Sequence, residues 1–347
     1  MTTTEAPQTT TSSPAKPVGP ATKPAPEVLR NTSSVRRTDV LALIGAFAAA
    51  MAITYLVFTR LAPFDGVIGF VVVAYVLFVG IYALLVSFDE NALAVRDRVA
   101  AVVMHSLALL VLITLISVVT YTIWRARGTL THFNLYTQDM SNAGPLDPVT
   151  VGGVLHAIAG TLIMISIALL ITVPLGVVCA VFLTEMPGPF SRFVRTIVEA
   201  MTALPSIVAG LFVYVTVVVL LGVGFSGFAA SLAITVMMLP IVIRSADVVL
   251  RLVPGTLKEA SYALGAGQWR TVWNVTLPTA RSGLTTAIIL GTARGIGETS
   301  PVLLTAGLTP RMNLNPFNGP MVSLPLATFD FVRSPQPEMI ARGFGSA

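Results

Sequence analysis

The chain has 347 residues, of which 54% are hydrophobic and only 11% charged, with a formal net charge of +5. Soluble domains carry about 25% charged residues, so the composition excludes an ordinary soluble protein. It also argues against a nucleic-acid groove, because the basic residues flank apolar runs and do not cluster.

Residues 1–38 are rich in Thr, Pro, Ala and Ser and nearly lack large apolar side chains. Such a stretch cannot offset the entropy of ordering, so a disordered cytoplasmic tail is expected. With no apolar run near its start, it does not read as a signal peptide. Seven apolar stretches follow, at 40–59, 66–88, 99–124, 154–184, 200–223, 226–250 and 284–307. About 20 apolar residues suffice for a helix to cross a bilayer. The first three stretches hold no Asp, Glu, Lys, Arg or Pro, whereas the last four carry Pro174, Pro205, Pro240 and Pro301. The expected organisation is therefore all-α and polytopic. A two-span hairpin covers 39–98, a span and external loop cover 99–153, a more elaborate core covers 154–307, and an external segment covers 308–347. Cys179 reads as a buried packing residue, and His105, His132 and His156 lack ligand spacing, so no metal site is expected. With the N-terminus inside, eleven Arg and Lys residues near the membrane fall on the inner side and five on the outer side. This asymmetry predicts a cytoplasmic N-terminus and a cytoplasmic loop over 251–283.

That loop is too long for a simple turn. Pro254 and Gly255 stop the preceding span. Leu257, Ala260, Ser261 and Leu264 follow helical spacing, and Gly265 and Gly267 permit a sharp turn. Trp269, Val272 and Trp273 begin a second helix, expected to end before Pro278. The pair reads either as an interfacial anchor, with Trp269 and Trp273 at the headgroup level, or as a docking element whose small residues Ala260, Ser261 and Ala263 fit closely into a partner's groove.

Charges inside spans cost about 2.5–3.5 kcal/mol each even on lenient scales, so those present need a reason. Arg294 and Glu298 are four apart, and Arg244 and Asp247 three apart, so each pair can meet on a helix face. One reading is mutual neutralisation that pins helices, with Arg244 free to snorkel toward the inner surface. The other is an anion path, since a planar guanidinium offers paired donors to phosphate-like oxygens.

Glu259-Ala260-Ser261, Gly265 six residues after the glutamate, and Val275, Leu277 and Pro278 resemble the Glu-Ala-Ala loop motif of ABC-importer permeases. Ser261 and Val275 stand where that family has Ala and Ile. Together with Pro205–Phe212, Pro240–Arg244, Tyr262–Gly265 and Ala293–Pro301, the likeness over about 150–338 narrows to the PstA group of phosphate-specific importers. The resemblance implies a type I ABC-importer permease core preceded by two extra N-terminal spans, in a prokaryotic plasma membrane. It implies an ATPase dock at Glu259, Ala260, Ser261, Gly265, Leu277 and Pro278, and transport roles for Arg244, Arg294 and Glu298. Asp247 joins them by spacing alone. Implied partners are a second permease (PstC-like), an ATPase dimer (PstB-like) that carries ATP and Mg, and an external phosphate-binding protein (PstS-like). The chain itself is expected to bind no cofactor and to be no enzyme. Its three lysines, Lys16, Lys23 and Lys258, stand in no P-loop context. The family has one more span where this chain ends, so a final span is expected beyond Ala347. Alternatives are a sulfate, molybdate or phosphonate permease, or an ion-driven transporter with Asp247 or Glu298 as its proton site.

Overall fold

The computed structural model describes residues 37–61, 66–88 and 90–347, and all but the last two residues of the expected tail lie outside them. Among the described residues every element is helical. Backbone removed from water must satisfy its own N–H and C=O groups, and a helix does so within one segment. The residues form two compact units, one reaching Leu112 and one starting at Ile113, with the boundary inside a single helix.

The first unit contains α1 (Arg37–Leu56, prolonged by a π-helical turn, Val57–Leu61), α2 (Val67–Ser87) and the beginning of α3 (Ala92–Leu130). Ala46 is fully buried in a cluster with Tyr82 and Val86, while Phe47 meets Phe78 edge to face at 6.1 Å. Arg98 on α3 reaches Asp39 on α1 at 2.5 Å and Glu90 at 2.6 Å, and the Tyr75 and Ser106 hydroxyls lie 2.6 Å apart. The outward Leu, Ile and Val side chains stay exposed, as a lipid-facing surface requires. At 39 residues, α3 is about 58 Å long and outruns the uncharged stretch 99–124 at both ends.

The second unit continues with α4 (Asn134–Thr137), α5 (Leu155–Glu185), α6 (Pro189–Thr202), α7 (Ser206–Val213, prolonged by a π-helical turn, Tyr214–Leu220) and α8 (Gly227–Arg251). Then come α9 (Gly255–Ala263), α10 (Gln268–Thr271), a π-helical turn (Val272–Thr276), α11 (Leu277–Ile296), α12 (Ser300–Thr305), α13 (Leu324–Arg333) and α14 (Pro337–Ser346). The centre is α8, packed on α5 and α11 through small residues. A Cβ at Gly176 of α5 would fall 2.8 Å from Val242, and at Gly291 and Gly295 of α11 it would fall 2.6 Å from Val242 and 2.4 Å from Met238. Ala168, Ala180, Ala230, Ala233 and Ala246 are wholly buried along the same seams. Between membrane helices, where lipid is as apolar as leucine, such close backbone approach supplies the van der Waals contact that holds them together.

Among the described residues five helices are by themselves long and apolar enough to cross a bilayer, and a sixth exists only if α6 and α7 count together, bent by 105°. The seven expected spans are therefore corrected in two places. The stretch 200–223 begins at that bend, where Pro205 caps α7. The stretch 284–307 is divided, because α11 stops at Ile296 and α12 starts afresh with Pro301 in its first turn. Pro174 and Pro240 by contrast lie inside unbroken helices. Cys179 is only half-buried, beside the cluster of Leu183, Val198 and Ile243.

At the end of this unit opposite α9, two loops are stitched together. Asp139 accepts the Ser141 hydroxyl at 2.6 Å and the Met312 amide at 3.1 Å, and the Ser141 bond holds its carboxyl below the usual carboxylate range. Arg342 of α14 is fully buried and donates to the carbonyls of Asp147, Pro148 and Val151 at 2.7–2.9 Å.

Candidate functional site

Pro254 ends the run out of α8 in an extended conformation, and the nine residues of α9 follow with none of them buried. Leu257 and Leu264, expected to give the helix an apolar face, are 43% and 89% exposed. An apolar face turned outward at a helix with no covering element suits a partner surface. The helix closes at Gly265. Its amide donates to the Tyr262 carbonyl at 2.9 Å and the Ala266 amide to the Ser261 carbonyl at 3.1 Å, the paired bonds of a Schellman motif. Gly265 has φ +83°, and a Cβ there would meet nothing within 4 Å. The residue is needed for its left-handed backbone and not for space, which sharpens the expectation from sequence.

Glu259 is the fifth residue of α9, beyond the first turn in which the helix dipole acts, and it is exposed. One other expectation changes here. The second helix does not end before Pro278. From Gln268 the chain is helical through α10 and the π-helical turn directly into α11, where Pro278 is the second residue. Pro278 thus stands at the junction where the wider π-helical winding gives way to the α-helix.

The six predicted docking residues divide accordingly. Glu259, Ala260 and Gly265 are exposed on α9 and its turn, and Pro278 is exposed on α11. Ser261 is half-buried and its hydroxyl lies 2.8 Å from that of the fully buried Thr271, so it ties α9 to α10. Leu277 packs against the cluster of Ala180, Ala246, Leu250 and Leu284. Trp269 and Trp273 stand edge to face at 5.8 Å, both more than half exposed. They also line a groove of about 250 Å³ together with Val178, Phe182 and Met186.

Of the predicted path residues, Arg294 near the end of α11 and Glu298 just beyond it do meet, at 3.7 Å, with the arginine side chain 58% exposed. That separation is an ion pair longer than a hydrogen bond, so the terminal donors of the guanidinium stay available. Arg244 is exposed on α8, and among the described residues no carboxylate pairs with it. Gly291 and Gly295 of α11 pack on Val242 and Met238 of α8, so Arg244 and Arg294 sit on the same pair of packed helices.

Asp247 corrects the expected pairing with Arg244. It is buried, while Arg244 turns outward, and its carboxylate takes Arg195 of α6 at 2.7 Å, Arg251 at 3.1 Å and the Thr184 hydroxyl of α5 at 3.2 Å. It is a clasp joining α5, α6 and α8 at the end that carries α9, not a lone charge on a path. Arg251 was within reach of a sequence argument, being four residues on; Arg195, 52 residues upstream, carries no local signal of the contact. Among the described residues no three His, Cys, Asp or Glu side chains converge as a metal site would need.

Residues 172–329 match the family described as the binding-protein-dependent transport system inner membrane component. The chain is 36% identical over 254 residues to the phosphate transport system permease protein PstA of Mycobacterium leprae, covering 73% of this chain and 83% of that one. It is 37% identical over the same length to PstA 1 of Mycobacterium tuberculosis, with the same coverage. With PstA of Yersinia pestis it shares 40% identity over 189 residues, which is 54% of this chain and 63% of that one. The helical architecture, the exposed loop helix and these relationships agree, and the chain belongs to the PstA family of phosphate transport system permease proteins.

Proposed function

We propose that this chain is a transmembrane subunit of an ATP-driven importer that moves inorganic phosphate inward. It would do so by alternating access with a PstC-like permease, a PstB-like ATPase pair and an external PstS-like binding protein. The observation that carries the reading is α9, a helix at the end of the bundle with no apolar side chain buried. ATP and Mg belong to the partner ATPase. In this reading α9 lies in the cytoplasm, in line with the arginine asymmetry, and seats in the ATPase. Closure of the ATPase pair on ATP draws the docked helices together and opens the permease pair outward, and hydrolysis returns it inward.

Arg244 and Arg294 supply the anion path. Each presents planar, permanently charged donors that match phosphate oxygens, and Glu298 holds Arg294 loosely enough for an anion to share it. The test is ATP hydrolysis and uptake by the complex reconstituted in liposomes with each binding-protein ligand in turn. Phosphate should stimulate both, and sulfate, molybdate and phosphonate should not. Stimulation by one of those anions instead would reassign the substrate. Uptake abolished by an uncoupler but indifferent to removal of the ATPase would reassign the mechanism to an ion-driven carrier.

A further inference from the structure

The geometry points to Glu185 as the residue that positions the docking loop on the membrane bundle, with Lys258 as its partner; this rests on the reading of α9 as the dock. No apolar side chain of α9 is buried, so apolar packing does little to fix its orientation. Polar links do, and among those the structure shows, two run from this loop to one residue. The Lys258 ammonium lies 2.5 Å from the Glu185 carboxylate, with the two side chains 18% and 9% exposed. The Gln268 amide of α10 donates to the Glu185 carbonyl at 3.0 Å. The last residue of α5 thus grips both short helices, by side chain and by main chain.

Local chemistry alone would not place a glutamate there. The C-terminus of a 31-residue helix carries partial negative charge and disfavours a carboxylate. A cost at one level with a compensating partner at another marks a position with a task. The pair is mostly withdrawn from water, so removing one member strands the other's charge, unlike an exposed surface pair of little worth. The residue before it, Thr184, bonds to Asp247, which Arg195 and Arg251 also hold. Two consecutive residues at the end of α5 therefore link α6, α8, α9 and α10. Displacement of α9 passes through Glu185 into α5, the helix most closely packed on α8.

The experiment uses the full complex in liposomes and reads phosphate imported per ATP hydrolysed, with retention of the ATPase by the purified permease as a second readout. Glu185→Gln should lower the transport-to-hydrolysis ratio at least about fivefold, the low end of allosteric coupling between sites, while the ATPase is still retained. Lys258→Arg, which keeps the charge, should hold the ratio near wild type. The exchange Glu185→Lys with Lys258→Glu should recover most of what the single change loses. A wild-type ratio in Glu185→Gln overturns the proposal, and so does an exchange no better than the single variant. Loss of the ATPase from Glu185→Gln does so too, since that makes the residue part of the dock or the fold. Failure of the unaltered chain to retain any ATPase would instead overturn the docking reading itself.

Discussion

An arginine in a membrane helix is tolerable when its charge is shared, and useful when the sharing is incomplete. Arg294 meets both conditions, with one carboxylate at 3.7 Å and most of its side chain exposed. Replacing it with glutamine should abolish phosphate uptake while the complex still assembles, because Gln offers no charge and only one pair of donors. Uptake at the wild-type rate in that variant would remove Arg294 from the path. The pairing with Glu298 was legible from spacing, although α11 ends at Ile296 and Glu298 reaches Arg294 from the break that follows and not from a shared helix face. Spacing misled at Asp247: Arg244 stood three residues away, but burial is decided by neighbouring helices, and α8 turns Asp247 inward and Arg244 outward. Once inside, a carboxylate takes whichever cations the fold delivers, here one from α6 and one a turn further along α8. The same limit hid Glu185 and Arg342, whose partners lie 73 and more than 190 residues away in the chain.

At the scale of elements, the spacing Glu259–Gly265–Pro278 marked the loop, and Pro254 and Gly265 flank α9 as helix-breaking residues do. What the spacing could not convey was the continuity from α10 to α11, since a proline after a helical run reads as a stop unless a wider turn precedes it. Gly265 permits a prediction that separates geometry from docking. Gly265→Ala meets open space, so its cost is that of a left-handed backbone, about 1–2 kcal/mol. It should loosen the Schellman turn and weaken ATPase retention modestly. Gly265→Glu adds a charge on the exposed surface and should weaken retention severely. Co-purification of the ATPase with each variant is the measurement. Equal, undiminished retention in both would mean that this turn does not touch the partner.

At the scale of the molecule, the family match over 172–329 lies wholly inside the unit that starts at Ile113. The Arg98 clasp, the Phe47–Phe78 contact and the Tyr75–Ser106 bond are all internal to the other unit. A chain begun just ahead of α3 should therefore still insert and retain the ATPase. Loss of insertion or of ATPase retention would show that the preceding hairpin is integral to the permease. The all-helical class was evident from composition, because long uncharged apolar stretches favour helices that satisfy their own backbone groups. The division of the last stretch at Gly297 and the sharp turn at Pro205 were not, because a run of apolar residues does not record where its axis bends.

The π-helical turn at Val272–Thr276 joins α10 to α11 with no non-helical residue between Gln268 and Ile296. Each α-helical residue advances the azimuth by about 100°, and a π-helical turn holds one residue more than that winding accommodates. The bearing of Arg294 relative to α10 is therefore set by the number of residues in an uninterrupted helical run. Removing one residue from the wide turn would restore regular winding and swing Arg294 about a quarter-revolution out of phase, with neither the dock nor the arginine altered. In such a run the tally of residues between two sites is a constraint as strict as their identity.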